Sequence, residues 1–181
     1  MGNILFVSNH YDHFLDVAPF LGNNISYKKM DFRSNRLVNH YLEAEFRVEE
    51  AYGQFKVPLF TIVPSLCVSY LGNKPGYEME SFCRDFRGDN LCRMAIRQRD
   101  GRIQEKCILV FYDGKKMTHF EALSVGSIAP KPEGVSHYPW HSVFIPEGHN
   151  LTYAQMKSQD RKMASSFVVL SEFQEFLQTH P

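Results

Sequence analysis

The sequence predicts an α/β fold, a mixed sheet with flanking helices, in a single domain over residues 1–181. Three observations carry this. The chain opens on a short β-branched and apolar run, Ile4 to Ser8, and then places Phe14, Leu15, Val17, Ala18 and Leu21 at helical spacing. Runs of strand type and helix type alternate from there without a repeat, a low-complexity tract or a linker. With 44% hydrophobic residues, 15 Phe and 9 Tyr, the chain can bury roughly 70% of its unfolded surface and needs no staples to fold.

Each element follows in order. The first helix meets Gly22, a C-terminal stop, and Pro19 within it predicts an end near Ala18 or a kink. Ile25 to Met30 reads as a second strand. From Arg36, the positions Leu37, Tyr41, Ala44, Val48 and Tyr52 step by three and four, which predicts an amphipathic helix ended by Gly53, with Glu43, Glu45, Glu49 and Glu50 as solvated surface. Pro58 to Val63 and Leu66 to Tyr70 read as strands parted by Pro64-Ser65, and Gly72 to Gly76 as a loop. A short helix is predicted around Glu78 to Phe86. Cys92 to Arg99, Cys107 to Tyr112 and Met117 to Val125 read as a three-strand meander, because Asp100-Gly101 and Asp113-Gly114 supply the positive φ of tight hairpins. Pro130, Pro132, Gly134 and Pro139 mark a long loop before a strand at Val143 to Ile145. The last helix is predicted from an N-cap at Ser158 to about Gln178, its stripe of Met163, Phe167, Leu170, Phe173 and Leu177 facing the core.

Charge and cysteine content exclude several classes. Twenty Lys plus Arg against 20 Asp plus Glu leave no net charge, so no global field draws the chain to nucleic acid or to an anionic membrane. The arginines at 84, 87, 93, 97, 99 and 102 alternate with acids, which disfavours nucleic acid as a partner. The opening apolar run is too short for a signal peptide, and no stretch approaches the roughly 18 apolar residues of a membrane span. Cys67, Cys83, Cys92 and Cys107 form neither a CxxC pair nor a finger, so buried reduced thiols in the cytoplasm or another reducing intracellular compartment are expected.

Residues Trp140-His141-Ser142-Val143-Phe144-Ile145-Pro146-Glu147-Gly148, then Leu151-Thr152-Tyr153-Ala154-Gln155-Met156 and the terminal helix, form the most specific string in the chain. It resembles the inosine triphosphate pyrophosphatase family, whose members carry a Gly-Trp-Asp-Pro-x-Phe-x-Pro-acidic-Gly run followed by Thr-Tyr/Phe-Ala-Glu-Met. Ile4 to Ser8 is similar to the family's opening strand. Leu66-Cys67, Leu71-Gly72, Pro75-Gly76 and Phe82 are similar to its central segment, so the resemblance covers nearly the whole chain. It implies an elongated mixed sheet with flanking helices and two lobes around a central cleft. It also implies a homodimer, a purine nucleotide partner and Mg²⁺-dependent cleavage of ITP, dITP or XTP to the monophosphate and pyrophosphate.

The same resemblance locates the site residue by residue. Hydrolysis of a phosphoanhydride needs carboxylates to hold Mg²⁺ and position water. The family's acidic pair on the central strand aligns with Ile62 and Val63, and a further acid aligns near Ser34, where Asp31 is the nearest carboxylate. In the phosphate loop, Ser8 keeps the hydroxyl position, His10 replaces an Asn and His13 replaces a Lys. A shift of one residue instead puts Asn9 on the Asn and Asp12 on the Lys. Glu80 stands where the family has Lys, and His141 where it has the base-reading Asp after Trp140. Arg161 replaces a Lys, Ser165 matches the Ser of Ser-His-Arg, and Ser166-Phe167 replaces the His-Arg.

The expectation is a chain that keeps the scaffold and has lost the Mg²⁺-dependent pyrophosphatase, with no cofactor, acting as a nucleotide-binding module or as a homodimeric or other assembly subunit. The nucleotide-binding candidates are Ser8, Asn9, His10, His13, Trp140, His141, Arg161 and Ser165. The alternative is an active ITP, dITP or XTP pyrophosphatase with Mg²⁺ on rearranged ligands, using Asp12 or Asp31 and the histidines. His10, His13 and His141 fall at nucleotide-facing positions, where imidazoles can bind a transition metal or phosphate or act as acid and base. No carboxylate is evident in the sequence to orient them. His119 and His137 have no site role, and Tyr11, Trp140 and Phe167 read as packing residues.

Overall fold

The computed structural model describes residues 3–32, 39–79, 82–83, 87–136, 138–157 and 160–180. β1 (Ile4–Ser8) is followed by α1 (Tyr11–Leu21), β2 (Ile25–Lys29), α2 (His40–Phe55), β3 (Leu59–Val68) and β4 (Lys74–Gly76). Then come α3 (Gly88–Gln98), β5 (Arg102–Tyr112), β6 (Met117–Ile128), β7 (Phe144–Pro146) and α4 (Ser165–Thr179). The seven strands make a mixed α/β sheet in the order β2-β1-β3-β5-β6-β7, with β4 on β3. β1 runs parallel to β2 and β3, whereas β4 on β3 and β7 on β6 are antiparallel.

The chain divides into two compact units. Met1–Val63, Cys107–Ala122 and Val168–Pro181 form the first, and Pro64–Lys106 with Leu123–Phe167 form the second. In the first, Phe6, Phe60, Leu109, Phe111, Leu170 and Phe173 build the core. Phe173 is central, its ring 4.8 Å from Phe60 and 5.5 Å from Phe111 and Phe120. In the second, Leu66, Val68, Met79, Leu91, Ile103, Trp140, Phe144 and Tyr153 close around one another. Tyr153 stacks on Phe144 at 4.7 Å, with the two planes 8° apart. Burying each such ring contributes about 2–3 kcal/mol.

Several sequence expectations change. α1 runs through Pro19 to Leu21. The proline forfeits one backbone hydrogen bond close to an end that the Gly22 N–H closes on the Ala18 carbonyl. α2 runs past Gly53 to Phe55 because Val48 and Ala51 bury one face and Tyr52 meets Tyr112 at 4.8 Å. Lys56, at φ 55°, is its left-handed cap, and Asn39 caps its start by accepting the Tyr41 N–H at 2.9 Å. Residues 36–38 lie outside the described residues.

Pro64 does not split a strand. It falls in β3 between the stretch paired with β1 at Leu59 and Phe60 and the stretch paired with β4 from Leu66, where a missing N–H costs least. The expected loop at Gly72 to Gly76 contains β4. Of the expected helix at Glu78 to Phe86, Met79, Phe82 and Cys83 are helical and the rest is partly outside the described residues.

The segment predicted as a strand from Cys92 is helix α3. Leu91, Cys92 and Ala95 are buried at helical spacing, Arg93, Arg97 and Gln98 are exposed, and Arg99 at φ 53° ends it. The expected meander is therefore the single hairpin of β5 and β6. The last helix starts at Ser165, seven residues after the expected cap at Ser158, which lies outside the described residues. Backbone turns closing on Lys157 and Arg161 precede it.

Candidate functional site

In the first unit, β1 delivers Ser8 to the loop that enters α1. Ser8 is buried, and its carbonyl is held by the Met30 N–H at 3.1 Å and the Tyr27 hydroxyl at 3.2 Å. Its hydroxyl sits 2.9 Å from His13 Nδ1 and accepts the His10 N–H at 3.2 Å. The two imidazoles are 5.4 Å apart. His10 is the N-cap residue of α1 and makes no side-chain cap bond, so the positive end of the helix dipole lies beside two titratable rings. Asn9, between Ser8 and His10 in sequence, is half-buried. Ser8, His10 and His13 are thus brought together, an arrangement suited to an anion when the rings are protonated.

β3 carries the positions where the resemblance expects carboxylates. Ile62 and Val63 are 9% and 1% exposed, and Ile62 belongs to the core. The Val63 carbonyl is hydrogen-bonded to His40 Nε2 at 2.7 Å. One turn along α2, Glu43 is 3% exposed rather than solvated. Its Oε1 accepts the Arg47 Nε–H at 2.8 Å, and its buried Oε2 has no hydrogen-bond partner. Asp12 and Asp31 are exposed, and no three His, Cys, Asp or Glu side chains gather around a metal position among the described residues. A hard cation such as Mg²⁺ needs several oxygen ligands, so the donor set on β3 does not fit it. Ser34 and Glu80 lie outside the described residues.

In the second unit the organising group is Glu105, a residue the sequence reading did not single out. It points inward from β5 and is 3% exposed. The indole N–H of Trp140 donates to its Oε1 at 2.9 Å and the Ser165 hydroxyl donates to its Oε2 at 3.0 Å. His141 Nε2 stands 3.9 Å from Oε1, an ion-pair distance. Burial alone would push this carboxyl up, but His141 and the hydrogen bonds from Trp140 and Ser165 outweigh it and hold Glu105 below the ordinary glutamate value. The expectation that no carboxylate orients the histidines is therefore corrected for His141.

His141 is buried at the 3₁₀ turn Pro139–Ser142. Its Nδ1 lies 3.1 Å from the Ser136 hydroxyl, and the rings of Tyr138, Tyr153 and Trp140 surround it at 4.7, 5.3 and 5.4 Å. The Tyr153 hydroxyl is buried without a hydrogen-bond partner, and its ionisation is pushed well up by burial and by the Glu105 charge. Ser124, the hydroxyl beside it, gives its own proton to the Met163 carbonyl at 2.6 Å. Arg161 is half-buried in the turn before α4. The structure thus joins Trp140, His141 and Ser165 through Glu105. His10 and His13 belong to the first unit and His141 to the second.

One signal for Glu105 was present in the sequence. β5 alternates, with Ile103, Glu105 and Cys107 buried between more exposed residues, so a carboxylate sits on the apolar face of a period-two strand. The roles of Ser136 and Tyr153 cannot be read from spacing, because both residues reach His141 only through the folding of the loops that carry them.

The fold defines the class of protein first. Over the whole chain it is similar to the HAM1 protein from Coxiella burnetii, with a TM-score of 0.83 at 15% identity and 100% of both chains covered. The Ham1 protein of Staphylococcus aureus follows with a TM-score of 0.79 at 16% identity, over 99% of this chain and 100% of that one. The chain belongs to the Ham1 family, which it matches over residues 42–167. Among named proteins it is similar to the inosine triphosphate pyrophosphatase of Schizosaccharomyces pombe, 25% identical over 181 residues, covering 98% of this chain and 96% of that protein. It is also similar to a dITP/XTP pyrophosphatase of Hyperthermus butylicus, 26% identical over 137 residues, covering 76% of this chain and 70% of that one. No helix among the described residues is long and apolar enough to cross a membrane.

Proposed function

We propose that this chain binds non-canonical purine nucleoside triphosphates of the ITP, dITP and XTP class and has given up their Mg²⁺-dependent cleavage, working as a nucleotide-binding or assembly module. The observation that carries the reading is β3: Ile62 and Val63 offer hydrocarbon where a metal needs oxygen, and His40 occupies the Val63 carbonyl. Binding is supported by the Ser8, His10 and His13 cluster at the start of α1 for phosphate, with Asn9 beside it. For the base and sugar the candidates are Trp140, His141, Arg161 and Ser165, of which Trp140 and Ser165 are buried and donate to Glu105. A homodimer in a reducing intracellular compartment completes the reading, in keeping with four cysteines that form no disulfide.

A second reading, an active ITP, dITP or XTP pyrophosphatase with rearranged ligands, is favoured by two observations. One is the likeness to a named inosine triphosphate pyrophosphatase over 98% of this chain. The other is Glu43, whose buried oxygen lacks a donor in the same unit as Val63.

Incubating the protein with ITP, dITP and XTP plus Mg²⁺ or Mn²⁺ separates the two. The first predicts thermal stabilisation, about 2.7 kcal/mol at a hundred times the dissociation constant, with no pyrophosphate released. Turnover at ordinary enzyme rates that is lost in Glu43→Gln would replace it with the second.

A further inference from the structure

The zero net charge of the chain is unevenly held. The first unit carries 11 Asp and Glu against 8 Lys and Arg, and the second carries 9 against 12, so the two units have opposite net charge. An exposed helix face in each unit gives that difference a local form.

On α1, Asp12 and Asp16 are exposed one turn apart, and Leu15 between them is 50% exposed. On α3, Arg93 and Arg97 are exposed one turn apart, and Ile96 between them is 62% exposed. Both helices are 11 residues long, and in each the order charge, aliphatic, charge falls at i, i+3 and i+4. Side chains so spaced share one face, with the Cβ atoms of the charged pair about 6 Å apart. The opposite faces are the buried ones, through Val17 on α1 and through Leu91, Cys92 and Ala95 on α3.

Neither pattern serves the helix that carries it. A like-charged pair at i, i+4 opposes helix formation. The helix dipole accounts for Asp12 in the first turn of α1 and for Arg97 in the last turn of α3, but not for Asp16 or Arg93 in mid-helix. A lone exposed aliphatic residue is ordinary, but each of these lies within a charged pair, and the two pairs are of opposite sign at the same spacing. The acids Glu45 and Glu49 of α2 do not repeat the pattern, because Val48 between them is buried. No aromatic residue occurs from Arg87 to Arg102 on which a base could stack, so the arginine face suits a protein rather than a nucleic acid.

We propose that the outward face of α1 in one copy of this chain docks on the outward face of α3 in a second copy. Asp12 and Asp16 meet Arg93 and Arg97, and Leu15 meets Ile96 between the two ion pairs. The inference rests on the assembly reading above and names the surfaces that carry it. Guanidinium forks match carboxylates two bonds at a time, and Arg93 is already steadied by Asn90 Oδ1 at 2.9 Å. Exposed ion pairs alone hold weakly, and the aliphatic contact adds the water-excluded centre that such an interface needs.

The test is sedimentation equilibrium of the full chain up to about 1 mM, repeated from about 0.05 to 0.5 M NaCl. The wild type is expected to self-associate and to do so less as salt rises. Arg93→Glu with Arg97→Glu, or Asp12→Lys with Asp16→Lys, should each lower the association constant at least about tenfold, since each sets like charges against each other. An equimolar mixture of the two reversed proteins should recover it, because the acidic α3 of one then faces the basic α1 of the other. Leu15→Ser and Ile96→Ser, both at exposed positions, should weaken association without altering its salt dependence, which keeps the test open if a reversed protein fails to fold. Association unchanged in these variants, or no recovery in the mixture, would overturn the inference and leave assembly through another surface standing. A wild type that stays monomeric across the whole range would overturn the assembly reading as well, with nucleotide binding untouched.

Discussion

The indole N–H of Trp140 donates to Glu105 Oε1 across 2.9 Å, and both residues are buried within one unit. Two residues 35 positions apart in sequence are thereby fixed to each other, and Ser165 closes the same carboxylate from the start of α4. Glu105 is a structural anchor as well as an electrostatic one. Glu105→Ala would leave the Trp140 and Ser165 donors buried without an acceptor, and a loss of about 3 kcal/mol in folding stability is expected. Urea denaturation of the two proteins at pH 7 measures it, and a difference under about 1 kcal/mol would show that water or a neighbour replaces the carboxylate.

The same carboxylate makes stability depend on acid. Its folded ionisation lies below the ordinary value, so its contribution is fully present above the unfolded value near pH ~4.3 and is lost as pH falls through the folded value. The stability gap between the wild type and Glu105→Gln should therefore be wide at pH 6 and narrow in more acid solution. A gap that instead widened toward pH 3 would mean that the carboxyl is protonated in the native state.

Gly126 on β6 has no room for a side chain. A methyl group there would meet the Phe144 ring at 2.8 Å and the Ile145 carbonyl oxygen closer still. The aromatic ring of β7 covers the glycine opposite it, and the backbone on that side cannot retreat without breaking the Gly126 to Pro146 register. Gly126→Ala should lower stability by about 2 kcal/mol or more, read from the midpoint of thermal or urea unfolding. Gly53, with open space around it, is the control: Gly53→Ala in the last turn of α2 should raise stability by about 0.5 kcal/mol.

Thiol chemistry should be confined to one residue. Burial pushes the Cys92 thiol up to about 11, and Cys83 and Cys107 are also buried. At pH 8 the thiolate of Cys92 is then on the order of one part in a thousand. Cys67 is the partly exposed one of the four, and its thiol is also raised by burial. An aromatic disulfide reagent should label the native protein slowly at Cys67 and reach four equivalents only after denaturation. Rapid labelling of Cys92 in the native state would show that α3 opens locally.

How legible the molecule was depends on which interactions fix each element. β1, β2, α1 and the last two long strands follow from local patterning, since their burial alternates or runs continuously within a few residues. α3 did not: Cys92, Met94 and Ile96 alternate with arginine and alanine as a strand would. Only the packing of Leu91, Cys92 and Ala95 on one face settles the period. β3 was misread at Pro64 because a proline's cost depends on whether a neighbouring strand needs its N–H, which is a tertiary fact. The site divides the same way. Ser8, His10 and His13 are close in sequence and were placed together on motif alone, whereas Glu105, Ser136 and Tyr153 act through contacts spanning up to dozens of residues. A buried carboxylate on an alternating strand was the one local clue.

The His40 contact bears on whether β3 could take carboxylates at all. Were glutamate or aspartate introduced at Ile62 and Val63, each new charge would arrive in a site 9% and 1% exposed, at a cost of several kcal/mol per unpaired ion. The Val63 carbonyl is meanwhile tied to the His40 imidazole of α2 at 2.7 Å, and Glu43, one turn further along α2, would add like charge. Single substitutions toward a metal site therefore lead downhill in stability before any ion can bind. The surroundings of β3 resist a carboxylate pair, and building one there would have to change α2 and β3 together.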